Sequence, residues 1–143
     1  MSQKQRRFSV RSAILLTLLV GLVLVTAIGC DLFGGVSTDE RVTDFMSDLA
    51  AGRWGNMRSH VHPSVEGRAL MGSDYFRAAF IDTRYNEVSR SGSGSNRSVL
   101  ASPVGGGSNI TIVIRTRDSG RDAYINELSR DGVQIVPINS SFP

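Results

Sequence analysis

Cys30 is the only cysteine in the 143-residue chain, and it carries the most reactive side chain present. A thiolate is the side-chain nucleophile best suited to accept an acyl group, and with no second cysteine an intrachain disulfide is excluded. Cys30 follows Ala27-Ile28-Gly29, in which Ala27 and Gly29 are small and leave the backbone accessible. His60 and His62 could ligate one ion from alternate positions of an extended segment. No Cys or carboxylate cluster completes a ligand set, so the pair is expected as a helix exit at the surface, with no metal and no cofactor. One acid–base arrangement sets a carboxylate and a hydroxyl in a shared apolar cavity. Asp82, Glu127, Tyr75, Tyr85 and Tyr124 supply the types without a diagnostic spacing, and no catalytic set is expected. Asn126, with Tyr124 nearby, is the candidate ligand-binding pair. The strand register worked out below puts the amide between Ile112 and Pro137 on an apolar sheet face, either as the polar handle of a pocket or as a satisfied group near the sheet edge.

Charge narrows the partners. The formal net charge is +3. Of 16 basic residues four (Lys4, Arg6, Arg7, Arg11) precede residue 12, which leaves 12 arginines against 13 acidic groups, a net −1, for residues 30–143. A phosphate-binding protein needs a basic face on its folded part, so nucleic acid is not an expected partner. Gly92-Ser93-Gly94-Ser95-Asn96-Arg97 lacks the third glycine of a phosphate loop and is followed by no convincing helix.

These residues depend on segments of different kinds. Behind the basic stretch from Met1 to Arg11 lies Ala13 to Ile28, 16 uncharged and mostly aliphatic residues, the upper length of a signal-peptide core and short of the ~20 that span a bilayer. Basic region, apolar region and Ala27-Ile28-Gly29-Cys30 together resemble the signal and lipobox of bacterial lipoproteins, with Ala27 where Leu is commonest. The resemblance implies cleavage before Cys30, diacylation of its sulfur and acylation of the new N-terminus. One acyl chain gives only reversible attachment at ~0.8 kcal/mol per buried methylene, and two or three hold permanently. It also implies the extracytoplasmic side of a bacterial cell membrane. Asp31 resembles the residue that retains enteric lipoproteins in the inner membrane, a rule that varies between bacterial groups, so inner and outer membrane stay open. The alternative is an uncleaved transmembrane anchor with Cys30 incidental.

The chain therefore divides into a signal peptide over 1–29, a lipidated Cys and flexible tether over 30–37, and a small domain over 38–143. Ser37-Thr38-Asp39-Glu40 predicts a capping box, and Val42, Phe45, Met46 and Leu49 place one apolar stripe on a helix that Gly52 ends. A helical turn from Trp54 to His60 offers Trp54, Met57 and Val61 to the same core, and Pro63 stops it. Ser73-Asp74 is expected to cap a third helix carrying Tyr75, Phe76, Ala79 and Phe80. From about residue 85 turn residues and alternation take over. A strand lies near 97–103, and 109–117 alternates with Ile110, Ile112 and Ile114 on one face. Asp118-Ser119-Gly120 reads as a three-residue hairpin loop and Asp131-Gly132 as a type I′ turn. Arg117 then pairs with Arg121 and Arg130 with Val133, setting Ile114 opposite Tyr124, Ile110 opposite Leu128 and Leu128 opposite Ile135. One face gathers these apolar residues with Val133, and Pro137 marks an edge or an end.

Helices followed by an antiparallel meander give an α+β domain with helices on the apolar face. The stretch from Val42 to Trp54, with Met57 and His62-Pro63, resembles the opening of the small NTF2-like (cystatin-like) domains found on bacterial lipoproteins. The Gly-Lys-Trp motif that the family often shows before its last strand is absent, with Asp131-Gly132-Val133 in its place. The expected function is a binding or interaction module of the cell envelope, its partner an envelope protein or a small apolar ligand. The alternative is an NTF2-like enzyme acting on a small apolar substrate. A cavity holding a carboxylate on the inner sheet face would favour the enzyme, and a face filled by Phe45, Trp54, Phe76 and Phe80 the binding module.

Overall fold

The computed structural model describes residues 34–137; Cys30 and the segment before it lie outside the described residues. The first helix, α1 (Thr38–Ala51), begins with the expected box: the Ser37 hydroxyl accepts from the Glu40 N–H and the Glu40 carboxylate accepts from the Ser37 N–H. Gly52 closes it at φ 69°, a left-handed conformation that glycine adopts without a Cβ penalty. Two 3₁₀ helices, Trp54–His60 and Arg68–Leu70, lead to α2 (Ser73–Ala79). Ser73 is the first residue of α2 rather than its cap. Gly72 takes the extended flanking position and no side chain caps the end, leaving Asp74 in the first turn to face the positive helix terminus. Among the described residues no helix is long and apolar enough to cross a membrane.

Five strands follow, β1 (Tyr85–Ser91), β2 (Asn96–Pro103), β3 (Ile110–Ser119), β4 (Asp122–Arg130) and β5 (Val133–Val136). They form one antiparallel meander in chain order. The domain is thus α+β, with helices on one face of the sheet. β1 gives no sequence signal, because of its seven residues only Tyr85 is buried. The inner face, with Val99, Ile112, Ile114, Ile125 and Leu128, packs against Val42, Phe45, Leu49 and Met57. Phe80 centres an aromatic group, its ring 6.3 Å from Phe45, 6.4 Å from Trp54 and 6.2 Å from Tyr85. With Phe76 also fully buried, the four expected aromatics fill this face.

The β4–β5 turn is as read: Arg130 pairs with Val133, and Asp131 (φ 49°) and Gly132 (φ 80°) supply the two positive φ values of a type I′ turn. The β3–β4 hairpin differs. Ser119 pairs with Asp122, so the loop is the two residues Gly120-Arg121. Gly120 at φ 67° is the first central residue, as a type II′ turn requires. The shift relative to a 117–121 pairing is odd, and an odd shift exchanges the faces of every side chain. Tyr124 therefore stands opposite Arg117 and leaves the core to Ile125. A bulge then restores parity: Arg115 pairs with Glu127 and Thr116 with Ile125, so Asn126 has no partner, and Leu128 returns to the inner face opposite Ile114. A second bulge, at Ile135, sets Val136 rather than Ile135 opposite Leu128, with both buried. Val133, expected inside, is 42% exposed beside its turn at the sheet's corner, and Ile110 is half-buried against the core. Pro137 follows the end of β5, an edge strand.

Two sets of polar contacts tie α1 to the sheet. Arg97 grips both Asp39 oxygens at 2.7 and 3.0 Å, and this fork holds the Asp39 carboxyl below the usual carboxylate range. Val36 accepts from the Ala123 N–H and donates to the Asp122 carboxylate, so the chain joins the sheet before α1 begins.

Candidate functional site

β5 is short and pairs only with the end of β4. The free edge of β4 nearer its start is covered instead by the chain that leaves the first 3₁₀ helix: Val61 bridges Ile125 in parallel, and the His62 N–H donates to the Ile125 carbonyl at 2.8 Å. Between this segment and β5 lies a groove of about 350 Å³ bordered by Ser64, Glu66, Arg117, Asn126, Gln134 and Pro137. It shares Glu127 and Gln134 with a second depression of about 280 Å³, which extends over β3 toward Arg115.

Asn126 belongs to this groove and not to the apolar face. The bulge that leaves it unpaired also turns it away from the core, in keeping with the tendency of bulges to re-aim side chains. It is half-buried, and its amide makes no hydrogen bond among the described residues. Tyr124, the other candidate, is held behind the groove. Its ring lies edge-on to His62 at 6.0 Å and under the Arg41 guanidinium at 4.6 Å, a favourable cation–π distance.

Both histidines are buried, at 5% and 7% exposure, where a surface helix exit was expected. The reason is a polar chain along the flank of α1. His60 Nε2 lies 2.8 Å from Asp48 Oδ2, and its Nδ1 lies 3.3 Å from Arg41 Nη1. A guanidinium has donors only, so Nδ1 is the acceptor and the ring proton on Nε2 is donated to Asp48. The second Asp48 oxygen accepts from Arg53 Nε at 2.5 Å. Burial pushes the Asp48 carboxyl up, but the hydrogen bonds from His60 and Arg53 outweigh it and hold the group below the usual carboxylate range. Arg41 also donates to the Ala123 carbonyl at 2.7 Å, and His62 Nδ1 accepts from the Ser64 N–H at 3.1 Å with Ser64 Oγ at 2.7 Å. Arg53, Asp48, His60, Arg41, Tyr124, His62 and Ser64 thus touch in succession from helix to groove. Arg41, Phe45 and Asp48 stand at i, i+4 and i+7, beside the apolar stripe. This spacing is the one sequence signal that could have revealed the chain.

Neither histidine is arranged for a metal. Both His60 nitrogens are engaged, and among the described residues no three His, Cys, Asp or Glu side chains converge. The other acid–base candidates are dispersed. The Tyr75 hydroxyl donates to the Ile135 carbonyl in the core, Tyr85 packs on Phe80, Asp82 is exposed beside Arg77, and Glu127 pairs with Arg115 at 2.9 Å on the outer face. The groove itself offers a side-chain amide, a guanidinium and a carboxylate. A scan against protein-family models matches none, and searches of curated proteins and of solved structures return no relative.

Proposed function

We propose that this chain is a lipid-anchored protein of the bacterial cell envelope, held on the extracytoplasmic side by acyl groups on Cys30, and that its NTF2-like domain binds a ligand or partner in the groove at Asn126. The anchor is supported by the order of basic stretch, apolar stretch and Ala27-Ile28-Gly29-Cys30. The binding role is carried by one observation, the half-buried Asn126 amide with no partner among the described residues. The amide faces the groove and not the core, so a ligand there can supply its partner from outside. The filled inner face and the engaged oxygens of Asp48 count against an enzyme working on an apolar substrate there.

Mass spectrometry of the membrane fraction tests the anchor. The expected product begins at a lipid-modified Cys30, and Cys30→Ala accumulates as precursor. An intact Met1 terminus with unmodified Cys30 would overturn it. The groove is tested by fragment titration of the isotope-labelled protein: ligands should move the Asn126 side-chain amide signals, and fragments that gather only at other surfaces would refute the assignment.

A further inference from the structure

Resting on that reading, we infer that the groove at Asn126 takes a small zwitterion that contains an amide bond, a short peptide with both termini uncapped. Arg117 and Glu66 both border the groove and are exposed, and neither has an ion-pair or hydrogen-bond partner among the described residues. Each charge therefore remains available to a ligand. A guanidinium grips a carboxylate through two parallel hydrogen bonds, and a carboxylate accepts from an ammonium group. Beside them Asn126, with no hydrogen-bond partner among the described residues, presents a side-chain amide, which both donates and accepts and so matches the N–H and C=O of a peptide bond.

The same lining argues against other ligand classes. A phosphate or polyanion would meet Glu66 and Glu127, and a polycation would meet Arg117. An apolar molecule would find only Val65 and Pro137 among mostly polar neighbours. A neutral sugar could use the amide but would leave both charges without a counterpart. The groove's 350 Å³ lies at the small end of ligand sites, so a dipeptide is the fitting size.

The test uses the full-length labelled protein in detergent micelles and follows the Asn126 and Gln134 side-chain amide signals during titration with alanyl-alanine. Parallel titrations use its N-acetylated form, its C-amidated form and sucrose. The free dipeptide is expected to saturate with a Kd on the order of 1 mM, and each cap to weaken binding about fivefold, the share of one exposed ion pair. Arg117→Gln should abolish the difference between free and amidated dipeptide, and Glu66→Gln that between free and acetylated dipeptide. Both side chains are exposed, so neither variant should disturb folding. Caps without effect, or sucrose moving the same signals more strongly than the dipeptide, would overturn the zwitterion and leave the groove as a binding site. If no probe moved the Asn126 signals, the groove reading would fail as well.

Discussion

The two faces of the sheet treat polar groups in opposite ways. On the inner side every buried side-chain nitrogen and oxygen among the described residues has a partner. Even the ionisable chain through Asp48, His60 and Arg41 is closed by hydrogen bonds at each step. At the outer groove Asn126, Arg117 and Glu66 have none among the described residues. Satisfying a buried group is obligatory, because an unpaired one costs ~1–3 kcal/mol. Leaving an exposed group unpaired costs almost nothing, since water serves it. Stability therefore dictates the inner pattern and leaves the outer one unconstrained, so the groove's polar groups are the ones a ligand can engage at little cost to the fold.

Substitutions should divide along the same line. The largest effect belongs to the inner face: Ile112→Ala or Leu128→Ala should cost ~2–5 kcal/mol in a urea melt, a large part of the ~5–15 kcal/mol that such a domain possesses. Next comes the polar chain. Asp48→Asn leaves Arg53 and His60 imperfectly paired and should cost ~1–3 kcal/mol at pH 7. Because the folded Asp48 carboxyl titrates below its unfolded value, its stabilisation is present above about pH 4 and disappears as pH falls through the folded value. The wild type should therefore lose stability in acid more steeply than Asp48→Asn, and parallel pH curves would contradict the network.

The smallest effects belong outside. Arg115→Ala removes an exposed pair with Glu127 and should change stability by no more than ~0.5 kcal/mol. Were it costlier than Ile112→Ala, the register and the helices-on-sheet arrangement would both be wrong. Asn126→Ala should be equally silent in the melt while the groove loses its ligand, the outcome that most sharply separates the two faces.

Sequence patterns disclosed the inner face better than the outer. The Ser37 and Glu40 cap, the stripe of Val42, Phe45, Met46 and Leu49 and the Asp131-Gly132 turn are local, and each was legible because its partners lie within a few residues. β1 was hidden because an edge strand with one buried residue has no alternation to read. The β3–β4 register turned on whether Gly120 ends a three-residue loop or begins a two-residue one, a choice that composition does not decide. Without the bulge at Asn126, one wrong choice would have inverted the whole strand. The burial of His60 depends on Asp48 and Arg41, 12 and 19 residues away, and only the folded chain brings them together. Asn126 is conspicuous in the sequence for its amide, but it reaches the groove through the bulge and not through the register that a three-residue loop would set.

The outermost strands have a further consequence. β1 is interrupted by a bulge at Val88 and carries the Arg90–Glu87 ion pair, while β5 is four residues long and stops at Pro137. A long, flat margin of unpaired backbone would recruit the margin of a neighbouring molecule, and bulges, charges, brevity and proline each prevent such templating. Under the proposed anchor, copies confined to two dimensions would meet edge to edge far more often than freely diffusing ones. Such margins let them collide without zipping into a continuous intermolecular sheet.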